Sequence, residues 1–187
     1  MWQSLTVAAA ITALGIASLA LADQGIDGSV EGILNPEELS IRGALDRLRH
    51  DEADPMLGIY GYAAAKARDN VTARELFGHL AHRGNPEAME WMAWLEDNGL
   101  GGPEAPDKAA EWDRRAMVAG SEIGQFNYGL DLMRGRGVPR DVEAGKAAVR
   151  EAARRGETSA RMLVENDFDL DVVTPDADAW KYGDRLY

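Results

Sequence analysis

The sequence of 187 residues contains no cysteine and only three histidines. The absence of cysteine excludes disulfide bonds, thiolate metal sites and cysteine nucleophiles. Positive charge is also scarce, since 20 Lys and Arg stand against 32 Asp and Glu, which gives a net charge of −12. Such an acidic chain repels phosphate backbones, so we expect no nucleic-acid partner. Hydrophobic residues make up 45% of the chain, with five Trp and seven Met among them, which is ample for the core of one ordinary domain.

Motifs for enzyme chemistry are missing as well. The sequence has no nucleophile elbow, no phosphate-cradling loop and no zincin motif, and Gly135-Arg136-Gly137 lacks the preceding strand that a dinucleotide site needs. We therefore predict a protein without enzymatic activity, cofactor or bound metal. An enzyme that uses scattered carboxylates remains an alternative.

Two side-chain patterns raise the question of metal binding. Glu75, His79 and His82 share one face of a predicted helix, where they could hold a metal or form a solvated edge. The aspartates at 167, 169 and 171 resemble a calcium loop, but the required glycine and the final glutamate are absent. Their alternation with apolar residues favours an edge segment or tail.

The first 22 residues contain no charged side chain. The apolar run Leu5 to Ala22 ends in Ala20-Leu21-Ala22, and the small residues Ala20 and Ala22 fit a signal-peptidase site. We predict a signal peptide over residues 1–22, cleaved at about Ala22, which makes the folded part periplasmic or secreted. The alternative is an uncleaved membrane anchor through residues 5–22, because about 18 apolar residues are just long enough to cross a bilayer. The folded part would then face the periplasm.

Glycines recur at a fixed interval along the middle of the chain. The interval of 36 residues separates Gly84, Gly120 and Gly156, and it also separates Gly99 from Gly135 and Gly101 from Gly137. A period of this size predicts stacked helical hairpins, that is, a solenoid. Glycine suits the turns because they need positive φ angles.

The period divides the chain into parts. We predict a linker over residues 23–35 and a helical repeat domain over residues 36–168, with hairpins at about 54–84, 85–120 and 121–156 and a partial one at 157–168. The first hairpin lacks the glycine loop. A leading helix that starts at Asn35-Pro36 carries the apolar stripe Ile41, Ala44, Leu45 and Leu48. We expect residues 169–187 to form a C-terminal tail, and we expect the open end of the core to be covered by Phe168, Trp180, Tyr182 and Tyr187.

In its second and third hairpins the chain resembles the Sel-one-like repeat family, a relative of the tetratricopeptide repeats. The third hairpin carries the pattern at Gly124, Tyr128, Gly129, Gly135, Gly137, Val138, Asp141, Ala152, Ala153 and Gly156. The second carries it at Ala88, Met92, Ala93, Gly99, Gly101, Ala109, Trp112, Ala116 and Gly120. Ala148 and Ala105 depart from it, at its tryptophan and aspartate places. The resemblance implies an all-α, right-handed αα-hairpin solenoid with a leading capping helix and a C-terminal capping tail.

The related fold also implies a binding face. Its geometry places the first helix of each hairpin on the concave side, and the predicted partner-binding residues are Tyr62, Glu90, Trp94, Asp97, Phe126, Leu130, Met133 and Arg134. An aromatic stripe with a few charges suits a peptide or a partner helix. The alternative is that neighbouring helices or the C-terminal tail cover Trp94 and Phe126.

A basic cluster also stands out on this acidic chain. It comprises Arg134, Arg136, Arg140, Arg150, Arg154 and Arg155. The cluster either receives an acidic partner or consists of solvated helix ends, where cations are favoured.

Taken with the signal peptide, the resemblance implies a non-enzymatic scaffold or adaptor of a bacterial-type cell envelope. Its partner is a protein, and we expect the chain to be a monomer. The alternative function is a membrane-anchored accessory subunit of a membrane protein complex.

Overall fold

The computed structural model describes residues 40–50 and 56–173. The predicted signal peptide, the linker and the tail residues Trp180, Tyr182 and Tyr187 lie outside these ranges. The described residues form eight α-helices and no strand, which confirms the predicted all-α repeat fold. The helices are α1 (Ile41–Arg49), α2 (Leu57–Lys66), α3 (Asn70–His82), α4 (Pro86–Asp97), α5 (Pro106–Val118), α6 (Glu122–Arg134), α7 (Val142–Arg155) and α8 (Thr158–Glu165), followed by a 3₁₀ helix, Leu170–Val172.

The helices pair in the order of the chain. α2 packs on α3, α4 on α5 and α6 on α7, and successive hairpins meet through α3 with α4, α5 with α6 and α7 with α8. In a solenoid, each repeat contacts only the repeats before and after it. The first helices α4 and α6 also contact one another, more extensively than α3 contacts α5 or α5 contacts α7. α4 and α6, the first helices of the second and third hairpins, therefore lie on the inner side of the stack.

Capping residues at the repeat interval start the first helices. The Asn85 side chain accepts a hydrogen bond of 2.8 Å from the Ala88 amide, and the Ser121 hydroxyl accepts one of the same length from the Gly124 amide. Glu157 caps α8 in the same way. Each cap satisfies a backbone donor that has no partner within its helix, so the hairpin boundaries follow from the local sequence.

The leading helix begins later than the predicted start at Asn35. Its N-cap is Ser40, whose hydroxyl accepts a 3.0 Å hydrogen bond from the Gly43 amide. Ala44 is fully buried there, in a cluster with Leu57, Tyr60 and Leu76 of the first hairpin. The helix thus covers the first hairpin, as predicted, but the capping oxygen directly before the apolar stripe sets its start.

Two loop glycines join successive hairpins. Gly101 and Gly137 have φ angles of 71° and 68°. A Cβ atom at Gly101 would lie 2.5 Å from the Asn70 carbonyl oxygen, and one at Gly137 would meet the Pro106 carbonyl oxygen more closely still. Asn70 and Pro106 begin α3 and α5. Each glycine loop therefore sits on the start of the second helix of the preceding hairpin.

Glycines within helices allow the third hairpin to close. A Cβ atom at Gly129 would lie 2.8 Å from Val149 Cγ2 and 3.0 Å from the Gly145 carbonyl oxygen. These separations are shorter than ordinary van der Waals contact between heavy atoms. α6 and α7 thus approach through their backbones, as the small residues in the sequence predict.

Candidate protein interface

Three aromatic side chains on the first two hairpins form one cluster. The Trp91 ring lies edge-to-face with Tyr62, at 5.7 Å between centroids, and edge-to-face with Trp94, at 5.5 Å. Tyr62 is 46% exposed and Trp94 is 45% exposed, whereas Trp91 is half-buried between them. We call Tyr62, Trp91 and Trp94 the aromatic cluster. The structure thus brings together two predicted binding residues and adds Trp91, which the sequence analysis missed.

The core below holds the aromatic cluster in place. Trp91 stacks on Phe77 of α3, with 5.0 Å between centroids and an angle of 3° between the ring planes. A Cβ atom at Gly61 would lie 2.9 Å from the Phe77 ring, so α2 lies directly on that ring. Tyr62 follows Gly61 and reaches the edge of Trp91. The spacing of Trp91 and Trp94, three residues apart on α4, was the available signal that both share one helix face.

An open cleft lies beside the aromatic cluster. Its volume is about 400 Å³, and it is lined by Ala65, Lys66, Glu87, Glu90, Trp91 and Trp94. The Lys66 ammonium group stands 5.3 Å from the centroid of the Tyr62 ring. The cleft therefore combines an aromatic wall with two carboxylates and one cation.

The next hairpin holds the Glu90 side chain. The Ser121 hydroxyl, which caps α6, also donates a hydrogen bond to Glu90 Oε1. Burial raises the pKa of Glu90, the hydrogen bond from Ser121 opposes this shift, and the charges of Glu87 and Glu122 add to it. The orientation of this carboxylate is therefore coupled to the contact between the second and third hairpins.

Asp97 has a different role from the predicted one. Its carboxylate accepts a 2.7 Å hydrogen bond from Arg136 Nε, in an ion pair whose arginine side chain is only 12% exposed. Arg136 also donates to the Asp97 carbonyl oxygen and pairs with Glu104 at 3.4 Å. Asp97 therefore ties α4 to the glycine loop of the third hairpin. The predicted binding residue Arg134 lies at the end of α6, where it is half-buried.

The prediction that the aromatic face continues onto the third hairpin is wrong for three residues. Phe126, Leu130 and Met133 are buried. They form a core cluster with Val149, Ala152, Ala160 and Leu163, and Phe168, Leu170 and Val173 pack against that cluster. Because α7, α8 and the segment after α8 contribute to this core, the three side chains offer no exposed surface. Phe168 packs on the end of the core, as predicted, whereas Trp94 stays exposed.

Two acidic residues lie where α5 meets α6, of which Asp113 is buried and Asp131 is half-buried. Asp113 is 6% exposed, and its Oδ1 accepts a 3.2 Å hydrogen bond from the Asn127 amide. Burial, and then the charge of Asp131, raise the pKa of Asp113 well above its ordinary value. Asp131 Oδ2 is buried without a hydrogen-bond partner among the described residues, and burial raises the pKa of Asp131 to about 7. Neither residue lines the cleft beside the aromatic cluster.

The candidate metal ligands take part in ordinary contacts instead. His82 Nδ1 lies 2.7 Å from the Gly78 carbonyl oxygen, and His79 Nε2 lies 3.1 Å from Arg83 Nη1. Asp169 Oδ1 accepts a hydrogen bond from the Asp171 amide and caps the 3₁₀ helix, so this segment is a turn and not an extended edge. Within residues 40–50 and 56–173, no group of three His, Asp or Glu side chains is arranged to hold a metal ion. None of the helices in those ranges has the length and apolarity to cross a membrane.

The basic cluster does not form one patch of free charge. Its members bind separately: Arg136 to Asp97, Arg140 to the Met133 carbonyl, Arg155 to Gln125, Arg154 to Glu151, and Arg150 over the Phe168 ring. Because these arginines already have contacts within the chain, the cluster is better interpreted as helix ends and loop contacts than as a binding site for an acidic partner.

No family model matches the sequence, and no curated protein gives a significant match. Among solved structures, a Sel1 repeat protein from Oxalobacter formigenes matches with a TM-score of 0.54 and 26% identity. The chain carries Sel1-like repeats. This confirms the resemblance read from the glycine and alanine pattern. A protective antigen present in uropathogenic Escherichia coli strains, which displays the SLR fold, matches with a TM-score of 0.55 and 24% identity.

Both matches are partial. The alignment covers 58% of this chain and 43% of the Oxalobacter formigenes protein, and 60% of this chain and 26% of the Escherichia coli antigen. The chain thus spans less than half of either structure's length.

Proposed function

We propose that the Sel1-like repeats of this chain form a protein-interaction scaffold that binds a partner polypeptide at the aromatic cluster. The observation that carries the proposal is the exposure of Trp94, at 45%, and Tyr62, at 46%, on the inner side of the stack. Large aromatic side chains dominate the energetics of protein interfaces, and contiguous exposed apolar surface is uncommon unless it binds something. The fold supports the proposal because a solenoid presents an extended surface to a partner.

The extent of the aromatic cluster limits the size of the contact. The equivalent surface of the third hairpin is filled by the cluster of Phe126, Leu130 and Met133. The partner therefore contacts mainly the first two hairpins, through α2 and α4. A contact of that length suits one short peptide segment or one amphipathic helix.

We further propose that this scaffold acts in the cell envelope after export. Support comes from the uncharged apolar run Leu5 to Ala22 and its Ala-Leu-Ala ending. Cell fractionation with N-terminal sequencing tests this. A mature protein that starts at Asp23 in the soluble envelope fraction supports export with cleavage. An intact N-terminus in the membrane fraction supports the alternative, an anchored accessory subunit, and an intact protein in the cytoplasm refutes both.

Replacing Trp94 with Ala tests the binding face. Crosslinked capture from an envelope extract should lose the specific partner by about tenfold or more, as expected for an aromatic hot spot. The matched control is Val118→Ala, which removes an apolar side chain that is 73% exposed on the second helix α5. That control should retain capture.

Thermal unfolding separates binding from folding in the same experiment. Because the Trp94 side chain is nearly half exposed, Trp94→Ala should shift the melting temperature only slightly. A partner captured equally by wild type and Trp94→Ala would refute the proposed face. A large fall in melting temperature would show instead that Trp94 serves the core.

A further inference from the structure

The cleft beside the aromatic cluster has a regular arrangement of charge and aromatic surface along α4. Glu87 and Trp91 are four residues apart, and so are Glu90 and Trp94. Residues at this spacing lie one above the other on a helix face. All four line the same cleft of about 400 Å³. A group that enters the cleft therefore meets a carboxylate and an indole ring at each turn of α4.

Neither carboxylate has an ion pair within the described part of the chain. Glu90 receives one hydrogen bond, from the neutral hydroxyl of Ser121. Glu96 on the same helix shows the contrast, because Arg74 donates to both of its carboxylate oxygens, at 2.8 and 2.9 Å. Two carboxylates, neither ion-paired among the described residues, thus line the cleft together with one cation, Lys66. The local charge favours a cationic occupant.

Both kinds of cation lie over aromatic rings in this chain, and the arginines lie closer. The Arg115 guanidinium lies over the Trp112 ring, with its Cζ atom 4.1 Å from the centroid, and Arg150 lies over Phe168 at 4.8 Å. The ammonium groups of Lys66 and Lys146 stand 5.3 Å from the centroids of the Tyr62 and Phe168 rings. A guanidinium stacks flat on an indole ring and still donates hydrogen bonds in its own plane, which an ammonium group cannot do. An arginine next to Trp94 could therefore contact the ring and the carboxylates together.

We propose that the cleft receives an arginine side chain of the bound polypeptide, with its guanidinium over Trp94 and its N–H groups directed to Glu90 and Glu87. This inference rests on the proposed function, because it names the chemistry of the partner at the same face. The cleft volume of about 400 Å³ is larger than one arginine side chain, so the cleft has room for that side chain and part of its backbone. The partner segment is thus basic and complements the net charge of −12 on this chain.

Peptide selection tests the proposal without knowledge of the natural partner. A random library of short displayed peptides is selected on the immobilised protein, and each enriched peptide is measured against wild type and variants. Peptides whose binding depends on Trp94 should be enriched in arginine. Their affinity should fall about tenfold when that arginine is replaced by norleucine, which keeps the chain length and removes the guanidinium.

The acidic groups are tested with neutral isosteres. The double variant Glu87→Gln, Glu90→Gln should weaken the arginine peptides about tenfold, because both charge-assisted contacts are lost. Glu90→Gln keeps an acceptor for the Ser121 hydroxyl, and the exposed single variant Glu87→Gln gives a second measurement if the double variant is less stable. Glu165→Gln, an exposed change on α8, is the charge-matched control and should leave binding unchanged.

The outcomes separate this inference from the proposed function. Trp94-dependent peptides without arginine enrichment, or with affinities that the Gln variants leave unchanged, would refute the arginine site and leave the aromatic binding face standing. A selection that yields no Trp94-dependent peptide would refute both. Arginine-rich peptides that lose affinity in Trp94→Ala and in the Gln variants, but not in Glu165→Gln, would support both.

Discussion

Replacing Asp131 with Asn should stabilise the fold above about pH 7 and leave its stability nearly unchanged near pH 4. In the native protein, Asp131 Oδ2 is buried without a hydrogen-bond partner among the described residues. Burial, followed by the charge of Asp97, raises the pKa of this carboxyl to about 7, and the opposing charges of Arg136 and Arg134 reduce the shift. The folded chain therefore holds a proton that the unfolded chain releases at lower pH.

The sign and the size of the effect follow from this difference. An unfolded aspartate has a pKa of about 3.9, so the folded group binds its proton about three pH units more tightly. Its stabilising contribution is complete below about pH 4 and is lost as the pH rises through about 7. At about 1.4 kcal/mol per pH unit, the full loss is at most about 4 kcal/mol. Asparagine resembles the protonated acid in shape and stays neutral, so the variant avoids that loss.

Urea unfolding followed by circular dichroism measures the effect, at constant ionic strength and at several values from about pH 4 to about pH 8. The relevant quantity is the difference in unfolding free energy between variant and wild type at each pH. This difference should grow with pH, from near zero to a stabilisation of about 2 to 4 kcal/mol. The other titrating groups are common to both proteins. Asp113 is the exception, because the variant removes the Asp131 charge that raises the pKa of Asp113, and this change favours the variant at high pH as well.

The control is Glu165→Gln, which removes one negative charge at an exposed site on α8. Its effect should stay within about 0.5 kcal/mol at every pH, as for most surface substitutions. The reasoning about Asp131 fails if Asp131→Asn changes stability by the same amount at all pH values. It fails also if the variant is the less stable protein at about pH 8, because the ionised carboxylate would then contribute favourably to the fold.

Two further predictions concern packing and ion pairing, and urea unfolding checks both. Gly129→Ala should destabilise the fold by about 1 to 3 kcal/mol, because the added Cβ would lie 2.8 Å from Val149 Cγ2. Gly78→Ala, where the nearest atom to the added Cβ would be 3.9 Å away, should instead stabilise the fold by about 0.5 to 1 kcal/mol. Equal effects of the two substitutions would contradict the close approach of α6 and α7. Arg74→Ala should cost about 3 kcal/mol by leaving Glu96, which is 5% exposed, without its partner. Arg114→Ala, which breaks an exposed pair, should cost less than about 1 kcal/mol, and a similar cost for both would show that burial does not matter to the Arg74 pair.

The repeat register could be predicted because the residues that mark it cap helices or form turns, and these roles depend only on the neighbouring residues. Asn85 and Ser121 cap helices through bonds that span three residues, and Gly101 and Gly137 adopt φ angles that other residues avoid. Such requirements are visible in a short window of sequence. The exposed position of Trp94 was expected from the geometry of the related repeat fold, and the side chain is 45% exposed.

Burial on the third hairpin could not be predicted in this way. Phe126, Leu130 and Met133 are buried by side chains of α7 and α8, and Phe168, Leu170 and Val173 pack against the same cluster. The repeat period places α7 and α8, but it does not show which side chains they cover. It also gives no information on the turn after α8, where Asp167 and Phe168 adopt left-handed backbone.

Buried polar contacts were missed for a related reason. The pairs Arg74 with Glu96 and Asn127 with Asp113 join residues 22 and 14 positions apart, between successive hairpins. Each partner alone looks like an ordinary polar residue of a helix. Only the packing of neighbouring helices shows that the groups are buried.

The seating of each glycine loop on the preceding hairpin gives the array a polarity. Among the described residues, one helix, α1, precedes the first hairpin, which turns directly from Lys66 to Asn70 without such a loop. No preceding hairpin in the described ranges offers a helix start on which a loop of the first hairpin could sit. A duplicate of residues 85–120 inserted after Gly120 would contain its own glycine loop. That loop could pack on the start of α5 in the original second hairpin, as the loop of the third hairpin does now. We therefore expect that further repeats can be inserted after the second hairpin while the first hairpin stays unchanged.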